Sequence, residues 1–305
     1  MILLEYLARE LILDKGYIKD LAINSSLNYI SFSIPKKSGG ERIIHQPSRE
    51  LKALQRALHD NLLKKLPIHE SAFAYRKGKG IDQHAKVHLS ARYLLRLDFK
   101  QFFESIKAKD ITSFINKNKD LLLSGWTDSD TKLLVDIVCY KHKLTMGSVT
   151  SPILSNAICF LLDKELEKIC YLNDVKYSRY ADDLFFSTSK PNVLRKIQKE
   201  VFKIVSELDE PGQLKINVNK TYHSSKRNRM SVTGLILTND GKVSVGRCNK
   251  RKVRTMVFNW DTLDEKDKFY LQGYLSFCSS IEPEFINSLC NKYGSEVIVK
   301  IQTYN

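Results

Sequence analysis
The sequence predicts an α+β fold. Three observations carry this. Short β-forming runs bounded by turn residues fall between residues 28 and 245. Stretches of helical periodicity separate them, rather than a regular strand–helix alternation. Residues 246–305 carry helical patterning alone. No repeat, low-complexity tract or long linker interrupts the chain. With 43% hydrophobic residues among 305, it has enough apolar surface for one elaborated domain or two to three subdomains.

The elements follow in order. Leu3, Leu4, Leu7, Leu11 and Ile12 recur at helical spacing, so residues 1–23 are predicted helical. Tyr29, Ile30, Phe32 and Ile34 make 28–35 a strand. Lys36-Lys37-Ser38-Gly39-Gly40 is a basic hairpin turn, and 41–45 return as the second strand. Ser48 is an N-cap for a helix that Pro67 stops. Gly78 and Gly80 break a basic loop after 72–75, and 81–90 read as a helix. The apolar run Tyr93-Leu94-Leu95-Arg96-Leu97-Asp98 is a strand, followed by a helix over 101–115. Asp130 is the expected N-cap of a helix over 131–141. A loop with Gly147 and Pro152 opens a long apolar helix over 153–169. Strands at 175–180 and 184–188 flank Tyr180-Ala181-Asp182-Asp183. An amphipathic helix covers 192–208, and a strand with a turn 215–222. Residues 231–237 and 242–245 pair across Asn239-Asp240-Gly241. The tail is helical from 247, with a break near Ile281-Glu282-Pro283.

Charge narrows the function classes. Lys and Arg outnumber Asp and Glu by 49 to 34, a net charge of +15. A chain this basic usually meets a polyanion, although a lysine-rich surface without such a partner gives the same count. No apolar run approaches the roughly 20 residues that span a bilayer. Met1-Ile2-Leu3-Leu4-Glu5 is too short, and too soon acidic, for a signal peptide. The chain is therefore expected in the cytoplasm, with no membrane partner. Cys139, Cys159, Cys170, Cys248, Cys278 and Cys290 lack paired spacing and are expected to be reduced, mostly buried thiols.

The chemistry gathers at aspartates. Asp182 and Asp183 share a tight turn, where two carboxylates repel unless a cation neutralises them. Asp98 ends a strand far upstream. Each alone is an ordinary loop or turn residue. Together, at strand ends in a basic chain, they suit a site holding two Mg²⁺ ions for nucleotide transfer.

The order of blocks resembles the reverse transcriptases: the basic hairpin, Asp98 followed by Phe102-Phe103, the Gly147…Ser151-Pro152 loop, Tyr180-Ala181-Asp182-Asp183, and Lys220 on a following strand. The resemblance spans about 28–245. It implies a right-hand polymerase fold with a palm of four antiparallel strands. Residues 1–90 would form an N-terminal helix and fingers. Residues 91–245 would form the palm, with interleaved fingers helices at about 110–150. Residues 246–305 would form a helical, RNA-binding thumb. It implies that Asp98 and Asp182 bridge two Mg²⁺ ions with Asp183 in support, and that the Phe99 carbonyl adds a ligand. One ion would lower the pKa of the primer hydroxyl, the other steady the triphosphate. Phe103 resembles the aromatic gate that favours dNTPs over ribonucleotides, with core packing as its alternative. Lys37 and Arg42 would hold the triphosphate, with Lys36 as substitute in another hairpin register. Arg76 would steer template or triphosphate. Lys220 resembles the lysine that meets the leaving pyrophosphate, with a plain surface lysine as the other reading. Gly147 would shape the nucleotide pocket. One departure stands out: Thr145-Met146-Gly147-Ser148 carries Met where the family has Gln, and Met donates no side-chain hydrogen bond.

Three further strings resemble retron enzymes: Val232-Thr233-Gly234, His84-Ala85-Lys86-Val87-His88 with His84 in place of Asn, and Gln46-Pro47-Ser48-Arg49-Glu50-Leu51-Lys52. They imply a cognate structured msr-msd noncoding RNA as template. Copying would start from the 2′-hydroxyl of an internal guanosine and give branched msDNA. Host RNase H would remove copied template, and a nearby-encoded effector would join the product in anti-phage defence. Arg247, Lys250, Arg251, Lys252 and Arg254 form a basic run for phosphate contacts. Two other readings stay open: another small bacterial reverse transcriptase, of defence-associated or diversity-generating type, and a non-catalytic RNA-binding scaffold.

Overall fold
The computed structural model describes residues 1–36 and 39–304. Helices α1 (Ile2–Leu11) and α2 (Lys15–Ile23) lead into a hairpin, β1 (Tyr29–Pro35) and β2 (Glu41–Pro47), followed by α3 (Arg49–Asn61) and α4 (Ile81–Val87). Strand β3 (Tyr93–Asp98) precedes α5 (Phe102–Ser105), α6 (Ala108–Lys117), α7 (Asp128–Val138), α8 (Ser151–Ile158) and α9 (Phe160–Tyr171). Then come β4 (Lys176–Tyr180), β5 (Asp183–Thr188) and α10 (Val193–Ser206). Strands β6 (Tyr222–Ser225), β7 (Met230–Val232), β8 (Leu235–Leu237) and β9 (Val243–Ser244) precede α11 (Arg247–Phe258), α12 (Glu265–Ile281), α13 (Pro283–Tyr293) and α14 (Ser295–Gln302). The strands make three sheets: β1-β2, β4-β5-β3-β6 and β7-β8-β9. The four-stranded order puts β3 beside β5, which brings two acidic strand ends together.

Several predicted helices are broken where no Gly or Pro signals it. Residues 1–23 split at Ile12, which adopts a left-handed conformation, and the Asp14 side chain caps α2 by accepting from the Tyr17 N–H at 2.9 Å. The stretch 101–115 divides at Ile106, and 153–169 at Cys159. Ser48 caps α3 as expected, accepting from the Leu51 N–H. Asp130 is not the N-cap of its helix. Thr127 is, and Asp130 completes a capping box at the third helical position while also accepting from the Leu3 N–H at 2.9 Å. The expected hairpin over 231–245 is a three-stranded sheet. Thr233 and Gly234 both take positive φ and turn the chain between β7 and β8.

The chain divides into two compact units. One comprises 1–77, 95–186 and 192–222. Its core joins α1, α2, α3 and α7 through Leu3, Leu7, Leu51, Leu54 and Leu58, and packs α9 against α10 and β4. The other comprises 78–94, 187–191 and 223–305. In it, α4 packs on the β7-β8-β9 sheet, and α11–α14 pack on one another. Cys139, Cys159, Cys170 and Cys278 are buried, Cys290 is half-buried and Cys248 is exposed, all as free thiols. No described helix is long and apolar enough to cross a membrane.

Candidate active site
The site forms where β3 ends and β5 begins. Ala181 adopts φ 55°, so the chain turns tightly before the two aspartates. The Phe99 N–H then donates to the Asp182 carbonyl at 3.0 Å, which fixes this turn beside Asp98. Asp98 is buried, and Asp182 and Asp183 are half-buried.

The electrostatics separate the three carboxylates. Burial raises the Asp182 pKa, and repulsion from Asp98 adds to it. Burial pushes Asp183 up to about 6, against the pull of Arg96. Arg96, on β3, grips Asp183 with a two-pronged contact: Nε donates to Oδ1 at 3.0 Å and Nη2 to Oδ2 at 2.9 Å. Asp98 accepts from Lys220 Nζ at 2.9 Å and from Asn217 Nδ2 at 3.3 Å. Lys220 is 58% exposed, so its ammonium can leave without unpacking anything.

Among the described residues, no three His, Cys, Asp or Glu side chains cluster at metal-binding distances. The donor set nevertheless fits Mg²⁺, which is commonly held by one or two carboxylates together with substrate phosphates and water. Asp98 and Asp182 supply two hard oxygen donors, and the charge of Asp98 disfavours that of Asp182. An ammonium already rests on Asp98. Asp183 instead faces a guanidinium.

The other expected residues fall as follows. Arg42 stands on β2 opposite Ile34, exposed, and its charge acts on Asp182 and on Tyr75. Lys36 is exposed at the hairpin turn, while Lys37 lies outside the described residues. Phe103 is buried on α5, with its ring centroid 6.4 Å from that of Tyr75 and 5.5 Å from that of Phe102. Gly147 takes φ 108°, and an added Cβ would lie 2.5 Å from the His45 carbonyl, so only glycine fits. The Met146 carbonyl accepts from the His45 N–H at 2.9 Å, so this position is fastened by backbone. Arg76 braces its own loop, donating to the His69 and Ala72 carbonyls and to Glu70.

The basic run on α11 splits by direction. Arg247, Arg251 and Lys252 are exposed. Lys250 is paired with Glu282, and Arg254 stacks over the Phe285 ring at 5.1 Å. Two of the three retron-like strings meet in one unit, where His84 Nδ1 lies 3.4 Å from Thr233 Oγ1, while the third, 46–52, lies in the other; His88 Nδ1 lies 2.7 Å from Ser187 Oγ.

Sequence reasoning missed Arg96, Tyr75 and Gln55. Tyr75 is exposed, sits in the left-handed region at φ 61°, and feels the Asp182 charge. Gln55 is fully buried. Its Nε2 donates to Tyr29 Oη and the Ile137 carbonyl, and its Oε1 accepts from Ser148 Oγ and the Val149 N–H. For Arg96 and Gln55 the available signal was a charged or amide side chain inside an otherwise apolar pattern; Tyr75 carried none.

Residues 34–237 match the family described as reverse transcriptase (RNA-dependent DNA polymerase). The chain is 35% identical to the retron Ec83 reverse transcriptase of Escherichia coli over 91% of each chain. It is 30% identical to the retron Ec86 reverse transcriptase of the same organism, over 93% of this chain and 88% of that one. Among solved structures, telomerase from Candida albicans with a TWJ fragment of telomeric RNA superposes with a TM-score of 0.53 at 11% identity. That match covers 95% of this chain and 59% of the other, and shows the fold, that of the right-hand polymerases.

Proposed function
We propose a specific task for this chain, which belongs to the retron reverse transcriptases and is an RNA-directed DNA polymerase: it copies a cognate structured msr-msd RNA into branched msDNA, primed from the 2′-hydroxyl of an internal guanosine. The carrying observation is the juxtaposition of Asp98 with the Asp182 turn through the Phe99–Asp182 hydrogen bond. In the proposed mechanism Asp98 and Asp182 hold Mg²⁺, with the Phe99 carbonyl as a further oxygen. Bound Mg²⁺ supplies activation of the attacking hydroxyl and neutralises charge on the triphosphate.

The chain's own residues prepare that step. Lys220 pairs with Asp98 and then turns to the pyrophosphate as it departs. Arg96 holds down the proton affinity of Asp183 and keeps it in support of the pair. Arg42, with Lys37 or Lys36, draws the triphosphate to the β1–β2 hairpin. Tyr75 and Phe103 line the nucleotide's sugar, and Gly147 lets the backbone of its loop approach closely. Residues 1–90 act as fingers, 91–245 as palm and 246–305 as thumb. Arg247, Arg251 and Lys252 offer the exposed cations for RNA phosphates. Lys250, Arg254 and Arg76 serve the RNA-gripping surface through packing and loop bracing. The packing of His84 beside Thr233 supports the retron reading over other small bacterial reverse transcriptases. Host RNase H and a neighbouring effector complete the proposed cytoplasmic defence role.

The test is paired. Replacing Asp182 and Asp183 by Asn is expected to abolish DNA synthesis while leaving RNA binding intact; synthesis at the original rate would overturn the mechanism. Nucleic acid copurifying with the native protein is expected to contain DNA that separates from RNA only after debranching. Recovery of random cellular RNA alone would overturn the msDNA reading.

A further inference from the structure
Beneath the catalytic turn lies a buried polar centre that the mechanism above does not use. Arg179 on β4 is 0% exposed, as are Asp163 of α9 and Asn156 of α8. Arg179 Nε donates to Asp163 Oδ1 at 2.8 Å, and Nη2 donates to Oδ2 at 2.6 Å. Tyr177 Oη donates to the same Asp163 Oδ1 at 2.7 Å. The remaining contacts point elsewhere. Arg179 Nη1 donates to Asn156 Oδ1 at 3.0 Å and to the Ala181 carbonyl at 3.3 Å.

That last contact matters because of where the carbonyl belongs. It is one half of the Ala181–Asp182 peptide group. The next peptide group, Asp182–Asp183, is held by the Phe99 N–H on its own carbonyl. The two peptide planes on either side of the Asp182 Cα are therefore both pinned, one from below by Arg179 and one from the side by β3. With both planes fixed and Ala181 already committed to a left-handed φ, the direction of the Asp182 side chain from the backbone is set.

Arg179 is itself rigidly placed. Its N–H donates to the Ser71 carbonyl at 2.7 Å, and its carbonyl accepts from the Phe73 N–H at 2.8 Å. Asn156 Nδ2 donates to the Ala74 carbonyl at 2.8 Å. The segment that ends in Tyr75 is thus tied to the same centre as the catalytic turn. Two walls of the site share one anchor.

Stability alone does not account for such a pair. Desolvating a guanidinium and a carboxylate costs as much as their attraction returns, and packed apolar residues do as well or better. What an arginine adds is a planar fork with fixed donor directions, which lysine cannot reproduce. We propose that Arg179 is the positioning residue of the catalytic turn, fixing the Ala181 carbonyl from an Asp163–Asn156 cradle and thereby setting where Asp182 presents its carboxylate. The proposal rests on the reading of Asp182 as a metal-holding carboxylate.

The test uses the full chain bound to its copurifying RNA. Arg179→Lys keeps the positive charge beside Asp163 but cannot span to the Ala181 carbonyl. Its single-turnover rate at saturating dNTP is expected to fall about 10- to 100-fold, with KM for dNTP changed less than about twofold. Amide hydrogen exchange is expected to quicken in peptides covering 176–186, with RNA affinity little changed and a lower melting temperature, because Asn156 Oδ1 and the Ala181 carbonyl lose their buried donor. Asn156→Ala, which leaves the ion pair in place, is expected to lose about 3- to 10-fold in the same rate. An unchanged rate in Arg179→Lys overturns the proposal, as does a loss expressed only in KM or only in melting temperature. If Arg179→Lys does not fold, Asn156→Ala decides, and a full rate there overturns it. Asp182→Asn run alongside separates the two readings: full synthesis by that variant removes the reading of Asp182, whatever Arg179 does.

Discussion
His84 and His88 make an acid-sensitive centre in the unit that carries Val232-Thr233-Gly234. Both are 0% exposed, with rings 5.8 Å apart, edge to face. Burial pushes each pKa down to about 3, and for His88 the neighbouring His84 adds to it. An unfolded histidine titrates near 6.5. Between these values the unfolded chain binds protons that the folded chain refuses. Stability is therefore complete above about pH 6.5 and is lost progressively as pH falls towards 3. At pH 5 the gap is about 1.5 pH units per histidine, or roughly 2 kcal/mol each and ~4 kcal/mol for the pair. The assay is thermal and urea denaturation at pH 7.5 and pH 5.0, for the native chain and for His84→Asn/His88→Gln. The native chain is expected to lose about 4 kcal/mol more than the variant across that interval, with a midpoint lower by about 6 °C. Parallel losses in the two proteins would refute the reasoning, because the acid sensitivity would then lie elsewhere.

Arg96→Gln removes the cation that opposes the raised pKa of Asp183. The acid limb of the pH–rate profile is expected to move up by about one unit, with activity recovered at higher pH; an unmoved limb counts against a role for ionised Asp183. Gly147→Ala forces a side chain against the His45 carbonyl in a left-handed backbone. A loss of at least about 2 kcal/mol in stability, with a raised KM for dNTP, is expected from melting and steady-state kinetics. On α11, changing Arg247, Arg251 and Lys252 together to Ala is expected to flatten the slope of log RNA affinity against log salt by about 2. Lys250→Ala should instead lower the melting temperature with little change in that slope, because Lys250 is spent on Glu282.

The convergence of the three aspartates was easier to read in the chain than the architecture around them. Asp98, Asp182 and Asp183 sit in short contiguous motifs at strand ends, where pattern and turn chemistry agree. The helix breaks at Ile106 and Cys159 left no such trace, since neither involves Gly or Pro; at Ile106 the carbonyl instead accepts from the distant Leu144 N–H. Asp130 misled because a helix-starting Asp reads the same at the cap as at the third position of a capping box. Arg179 was legible in principle. Strand alternation puts it on the same face as Tyr177, and both reach Asp163. A charge on an apolar face is a signal, but its partner lies on a helix 16 residues upstream and periodicity does not reveal it. Arg96 presents the same difficulty, inside an apolar run with its acidic partner on another strand.

The four bonds of Gln55 have a mechanical corollary. Two of them clamp Ser148 and Val149 to α3, while the carbonyl of Met146 joins the same loop to the root of the hairpin at His45. Hairpin root and nucleotide loop are one lever. Any displacement of the hairpin root is therefore transmitted to the 146–149 loop, and the entropy of ordering that loop is lost during folding. Because the main chain makes the joint, the identity of the side chain at position 146 is mechanically idle, and a methionine there leaves the lever intact.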